Sequence, residues 1–125
     1  MIRVTAAVIK QDNRYLVAQR KHDSHLEYYW EFPGGKIEEN ESDRECLKRE
    51  LCEEFSVKSQ INEFIGTVNY DYKDFTIELH AYSVKLESNP VNLTSHEKIK
   101  WVTLEDLKFT NLAPADKILV ELIKE

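Results

Sequence analysis

The sequence predicts an α/β (α+β) layered domain with a mixed sheet, and three observations predict it. Runs rich in Val, Ile, Tyr and Phe read as strands, and they are interleaved with two segments of helical periodicity. The length, 125 residues, fits one domain spanning 1–125 with no linker. A double glycine, Gly34-Gly35, leads into the longer helix and lets backbone approach a ligand closely.

Residues 2–10 are rich in Ile, Val and Ala, and Gln11-Asp12-Asn13 turns the chain into Tyr15-Leu16-Val17-Ala18, so a hairpin comes first. The polar stretch from Lys21 to Glu27 ends in Tyr28-Tyr29-Trp30-Glu31-Phe32-Pro33, which brings aromatics to the mouth of the glycine turn. Trp30 and Phe32 there either stack on a base or pack in the core. Ser42 and Glu45 have capping-box spacing, so a helix starts near Asp43 and runs to about Glu54. Ile61–Tyr72 and Phe75–Leu86 form a long hairpin about Lys73-Asp74, the second strand burying Phe75, Ile77, Leu79 and Ala81 and wetting Thr76, Glu78 and His80. Ser88-Asn89-Pro90 ends it, and 98–103 gives a last strand with Ile99, Trp101 and Thr103 alternating. A short helical turn covers 104–107. A closing helix over 114–124 starts at Pro114 and sets Ile118, Leu119, Leu122 and Ile123 on one face.

Composition bounds the chemistry. A net charge of −6 argues against binding a nucleic-acid polymer, which calls for a basic patch. No apolar run reaches the ~20 residues that span a bilayer, and the N-terminal residues read as a strand, so a cytoplasmic protein is expected. Cys46 and Cys52 fall on different faces of one helix and are read as reduced thiols. The four histidines lack metal-ligand spacing and are read as surface or edge residues.

On the longer helix Leu47, Leu51 and Phe55 make an apolar stripe, while Glu50, Glu53 and Glu54, at i, i+3 and i+4, share a neighbouring face. Like charges so placed repel by about 0.2–0.5 kcal/mol per pair. A divalent cation would offset that cost, since Mg²⁺ takes hard oxygen ligands from a few carboxylates together with substrate phosphates.

Gly35, five residues, Glu41, seven residues and then Arg49-Glu50-Leu51-x-Glu53-Glu54-x-Ser56-Val57 resembles the Nudix box of the Nudix hydrolases. The family has glycine where this chain has Ser56, just past the helix end, where a left-handed residue with a Cβ costs about 1 kcal/mol. The likeness extends over nearly the whole chain. The first strand, Trp30-Glu31-Phe32-Pro33-Gly34-Gly35, His96-Glu97 and Leu112-Ala113-Pro114-Ala115-Asp116 are similar to the MutT branch, and within it to CTP pyrophosphohydrolases.

That resemblance implies a Nudix fold, a mixed β-sheet sandwiched between helices with a loop-helix-loop catalytic motif, and a nucleoside triphosphate pyrophosphohydrolase using Mg²⁺, or Mn²⁺ in its place. The substrate would be CTP, 5-methyl-dCTP, 8-oxo-dGTP or a similar triphosphate, and the oligomeric state, monomer or homodimer, is left open. It implies that Glu50, Glu53, Glu54 and the Gly34 carbonyl hold the metal, with Glu50 as base. Glu97 stands as a further ligand or alternative base. Arg49 would orient the carboxylates, and Glu41 would fix the loop. Arg20 and Asp116 match positions lining the nucleobase pocket, although Asp116 also suits the first turn of the last helix electrostatically. An ionised Asp116 suits guanine's two adjacent donors, whereas cytosine requires it protonated or a different pose. The alternatives are another nucleoside diphosphate-linked substrate, or a Nudix-fold sensor that binds a nucleotide without hydrolysing it, for which Ser56 is the only support.

Overall fold

The computed structural model describes residues 1–92 and 95–124, and the site follows from where its first two strands part. β1 (Ile2–Gln11) and β2 (Arg14–Arg20) pair antiparallel only at Lys10↔Tyr15 and Gln11↔Arg14. The turn between them puts Asp12 and Asn13 at positive φ, as a two-residue hairpin loop of matching twist requires. Beyond the turn, β1 pairs in parallel with β5 (Thr76–Leu86), from Ile2↔Ile77 to Ile9↔Val84, and β5 pairs antiparallel with β4 (Ser59–Asp71). β2 instead takes the two-residue strand β3 (Trp30–Glu31) and, along its length, β6 (His96–Val102).

The wedge between β1 and β2 is filled by 33–37. Ala7 N–H donates to Pro33 O (2.7 Å), Thr5 N–H to Gly35 O (2.8 Å) and Ile37 N–H to Arg3 O (3.0 Å). The glycine turn is thus stitched to a central strand.

Both sheet faces are covered. On one, Leu47, Leu51 and Phe55 of α1 (Asp43–Phe55) pack on Ala7, Ile9, Leu16, Ala18, Val84 and Leu86. On the other, Leu107 of α2 (Leu104–Leu107) and Ala115 and Leu119 of α3 (Pro114–Val120) pack on Ala6, Val8, Tyr15, Val17, Leu79 and Ala81. Strands buried on two sides lose the hydrophobic alternation, which is why 5–9 and 15–18 read as unbroken apolar or small runs. Among the described residues no helix is long and apolar enough to cross a membrane.

Two sequence expectations need correction, and a third, left open between two readings, is decided. β5 has no fully wet face: Tyr82, Val84 and Leu86 turn towards α1, and half-buried His80 contacts Asp43 (3.1 Å) at the start of that helix. The closing helix stops at Val120. Its last turn tightens into i→i+3 bonds, Glu121 to Ile118 and Leu122 to Leu119. Its buried face is Ala115, Asp116, Leu119 and Val120, leaving Ile118 and Leu122 exposed, because Asp116 is drawn inward to the backbone of Phe32. Finally, Trp30 and Phe32 are core residues, 8% and 3% exposed, with the Lys100 ammonium 4.1 Å above the Trp30 ring.

Candidate active site

The start of α1 is fixed locally. Ser42 Oγ accepts from Glu45 N–H (3.1 Å) and the Glu45 carboxylate accepts from Ser42 N–H (2.9 Å), the reciprocal capping box. With the stripe of Leu47, Leu51 and Phe55 against the sheet, the next face points Glu50 and Glu54 into a cleft of about 490 Å³, within the range of small-molecule sites. Glu53 stays at the rim, with its side chain 58% exposed.

The two glycines are dictated by contacts. Gly34 has φ +152°, and a Cβ there would lie 2.1 Å from Thr5 O. A Cβ on Gly35 would lie 2.3 Å from the carboxyl carbon of Glu50, so this glycine makes room for that carboxylate.

Arg49 organises the acidic end. Its guanidinium grips Glu41 twice (Nε–Oε2 2.6 Å, Nη2–Oε1 2.9 Å) and reaches Glu50 (2.8 Å), Glu53 (3.0 Å) and Lys36 O (3.1 Å). Glu41 also accepts from Glu38 N–H (3.0 Å), tying loop to helix. The Arg49 bond, then that amide, hold the Glu41 carboxyl down at about 2. Burial raises Glu50 against the pull of Arg49. Glu54 goes furthest: burial first, then Glu50 and Glu31, push it up to about 9, and its Oε1 is buried without a partner among the described residues. A buried carboxylate among like charges with an unsatisfied oxygen fits a hard divalent cation, which would supply the missing charge.

The rest of the cleft lining is assembled from distant segments. Asp116, in the first turn of α3, is 8% exposed, and its Oδ2 accepts from Phe32 N–H (2.8 Å). Burial, and secondarily Glu31, lift its carboxyl to about 8 against that amide and Arg20. Tyr72 Oη accepts from Ala115 N–H (3.2 Å), satisfying a free donor at the start of α3, and Tyr72 stacks in a tilted pair with Phe75 at 5.5 Å.

The model of the NUDIX domain family matches residues 4–122. The chain belongs to the Nudix family. This Nudix hydrolase is 36% identical over 121 residues to CTP pyrophosphohydrolase of Escherichia coli (strain K12), covering 97% of this chain and 90% of that protein. It is 34% identical over 122 residues to 8-oxo-dGTP diphosphatase of Buchnera aphidicola subsp. Schizaphis graminum, covering 97% and 92%. A crystal structure of a MutT NUDIX hydrolase from Burkholderia pseudomallei superposes with TM-score 0.90 at 23% identity, covering 98% of each chain, a likeness of fold.

The cleft of the Nudix hydrolase gathers Gly34, Gly35, Glu50 and Glu54 together with Arg20 and Asp116. Arg20 lines it with two of its donor positions engaged, Nη1 to Glu31 (2.9 Å) and Nε to His25 O (2.5 Å). Glu97 is not brought to the acidic cluster: exposed on β6, it accepts from His22 N–H (3.2 Å), while its neighbour His96 turns inward. Ser56 has φ 55° and ψ 41°, the left-handed conformation for which glycine is the cheaper residue.

Sequence reasoning missed Glu31 and His96 and assigned the histidines wrongly in part. His22 is a surface residue, but His96 is 6% exposed and lines the cleft. A polar residue inside the conspicuous aromatic run ahead of the glycines was the available signal for Glu31.

Proposed function

We propose that this Nudix hydrolase is a divalent-cation-dependent nucleoside triphosphate pyrophosphohydrolase, adding one water across a phosphoanhydride to give a nucleoside monophosphate and pyrophosphate. The observation that carries it is Glu54 beside Glu50, its Oε1 buried and without a partner among the described residues, in a cleft that Asp116 also lines. Glu50, Glu53, Glu54 and the Gly34 carbonyl would hold Mg²⁺ or Mn²⁺, which when bound neutralises phosphate charge and activates water. Glu50 takes the water proton as the phosphorus–oxygen bond to the leaving pyrophosphate breaks; its burial raises its basicity for that task. Arg49 keeps Glu50 and Glu53 in register and Glu41 anchors Arg49.

The base end favours cytosine. With its carboxyl lifted to about 8, Asp116 is a neutral acid at pH 7. Oδ2 accepts from Phe32 N–H, which leaves Oδ1 as the oxygen that would carry the proton offered to cytosine's unprotonated ring nitrogen. Guanine, with two adjacent donors, suits the ionised form. The likeness to CTP pyrophosphohydrolase supports the same choice.

The test is pyrophosphate release with Mg²⁺ from CTP, 5-methyl-dCTP, dGTP, 8-oxo-dGTP and ADP-ribose, with the Glu54→Gln variant in parallel. A cytosine triphosphate is expected to be preferred. The variant should lose more than about 100-fold, since even outer partners of a metal site cost 10–100-fold. Preferred turnover of ADP-ribose would overturn the substrate class; binding of triphosphates without turnover would replace the enzyme with a sensor.

A further inference from the structure

His96 is an uneconomical residue for its place in the fold. Its ring stacks on Phe55 at 5.6 Å and 10°, a contact phenylalanine would make as well. Its Nδ1 is buried with no partner among the described residues, a desolvation cost phenylalanine would avoid. What the imidazole adds is one bond: Nε2 donates to Glu31 Oε2 at 3.0 Å. Glu31 Oε1 is held by Arg20 Nη1 at 2.9 Å, and Arg20 is braced by the His25 carbonyl. Strands β2, β3 and β6, and α1 through Phe55, therefore converge to aim one carboxylate.

That carboxylate lines the cleft. Glu31 immediately precedes Phe32, whose N–H holds Asp116, so the two carboxyl groups are presented together. A carboxylate has about four lone-pair positions, and two donors leave acceptor capacity towards the cleft.

We infer that His96 is a positioning residue which, with Arg20, fixes Glu31 as the acceptor for an exocyclic amino group on the substrate's base, and so sets selection of amino-bearing pyrimidines over keto ones. Beside a donor at Asp116, an acceptor at Glu31 complements cytosine's ring nitrogen and its amino group. Uracil presents a carbonyl where the amino group would be and meets a carboxylate there, an unpaired repulsive contact. The inference rests on the pyrophosphohydrolase reading, and it concerns selection, which binding reports separately from turnover.

The experiment compares CTP with UTP on the full chain, as kcat/KM with Mg²⁺ and as Kd by calorimetry without added metal. The wild type should prefer CTP. Glu31→Gln, whose amide donates to a carbonyl, should narrow the preference roughly tenfold or more, because a site built to pair a polar group discriminates strongly on it. His96→Phe keeps the stack on Phe55 and should narrow the preference similarly, raising the KM for CTP more than it lowers kcat. His96→Gln restores an N–H donor and should recover part of the preference. The Glu31→Gln/His96→Phe double variant should be no less selective than Glu31→Gln alone, since one residue acts through the other. An unchanged preference in His96→Phe with only a lower Tm would make His96 a packing residue; an unchanged preference in Glu31→Gln would remove Glu31 as the reader. CTP and UTP selected by Kd without hydrolysis would sink the enzymatic reading and leave this inference standing.

Discussion

The acidic group, Glu41, Arg49, Glu50, Glu53 and Glu54, comes from a single stretch of chain, whereas the cleft residues Arg20, Glu31, Tyr72, His96 and Asp116, the base end, are drawn from residues 20 to 116. The acidic end is set by the pitch of one helix and its cap. Changing the sheet register would move the helix without dispersing its carboxylates. The base end exists only because β2 bonds to both β3 and β6 and because α3 docks under Phe32. Chemistry common to a reaction class can therefore ride on local periodicity, while selectivity depends on tertiary register.

The largest expected effect tests how self-contained the acidic end is. Arg49→Lys keeps the charge but loses the fork that holds Glu41 twice and reaches Glu50 and Glu53. It should lower kcat/KM about 10–100-fold for every triphosphate alike, measured by pyrophosphate release. A loss confined to one base would erase the distinction between the two ends.

Asp116→Asn addresses the other end. The wild-type ratio of kcat/KM for CTP over 8-oxo-dGTP should fall as pH rises through about 8, as the Asp116 carboxyl loses its proton. An asparagine offers a donor and an acceptor at every pH, so the variant's ratio should be flat. A wild-type ratio indifferent to pH would dissociate Asp116 from base choice.

Stability against pH separates the ends further. Without metal the Glu54 carboxyl stands at about 9 against an ordinary 4.5, so the folded state holds its proton the more tightly. Its contribution is fully present below the ordinary value and is lost as pH climbs through about 9. Thermal melts without metal should show stability declining over that window, with the decline flattened in Glu54→Gln. Mg²⁺ should raise Tm more at about pH 9 than at about pH 6, because binding displaces the proton.

The smallest effect is expected at Ser56. Ser56→Gly relieves a left-handed residue at the end of α1 and should stabilise by about 1 kcal/mol in denaturant titrations, leaving base preference where it was.

The same division governs what could be read from the sequence. The capping box, the stripe of Leu47, Leu51 and Phe55, and the left-handed place of Ser56 were legible because each is a relation between residues a few positions apart. The β1–β2 turn and the β4–β5 hairpin were legible for the same reason. β3 was invisible: two residues carry no periodicity, and they become a strand only by bonding to Ala18 and Gln19. Glu31 went unnoticed with it. His96 could be told from a surface histidine only by the ring beneath it, and Phe55 lies far away in sequence. The exposed faces of Ile118 and Leu122 were misread because apolar spacing cannot register that Asp116 points inward.

The parallel union of β1 with β5 also gives the site a place in time. Ile2 cannot find Ile77 until most of the chain has left the ribosome, and β1 must sit in that ladder before Pro33 and Gly35 have a settled strand to bond to. The helix with its carboxylates can wind early, but the loop that faces them cannot. Non-local closures of this kind slow folding, so catalytic competence should appear late in refolding, after α1 has regained its helicity.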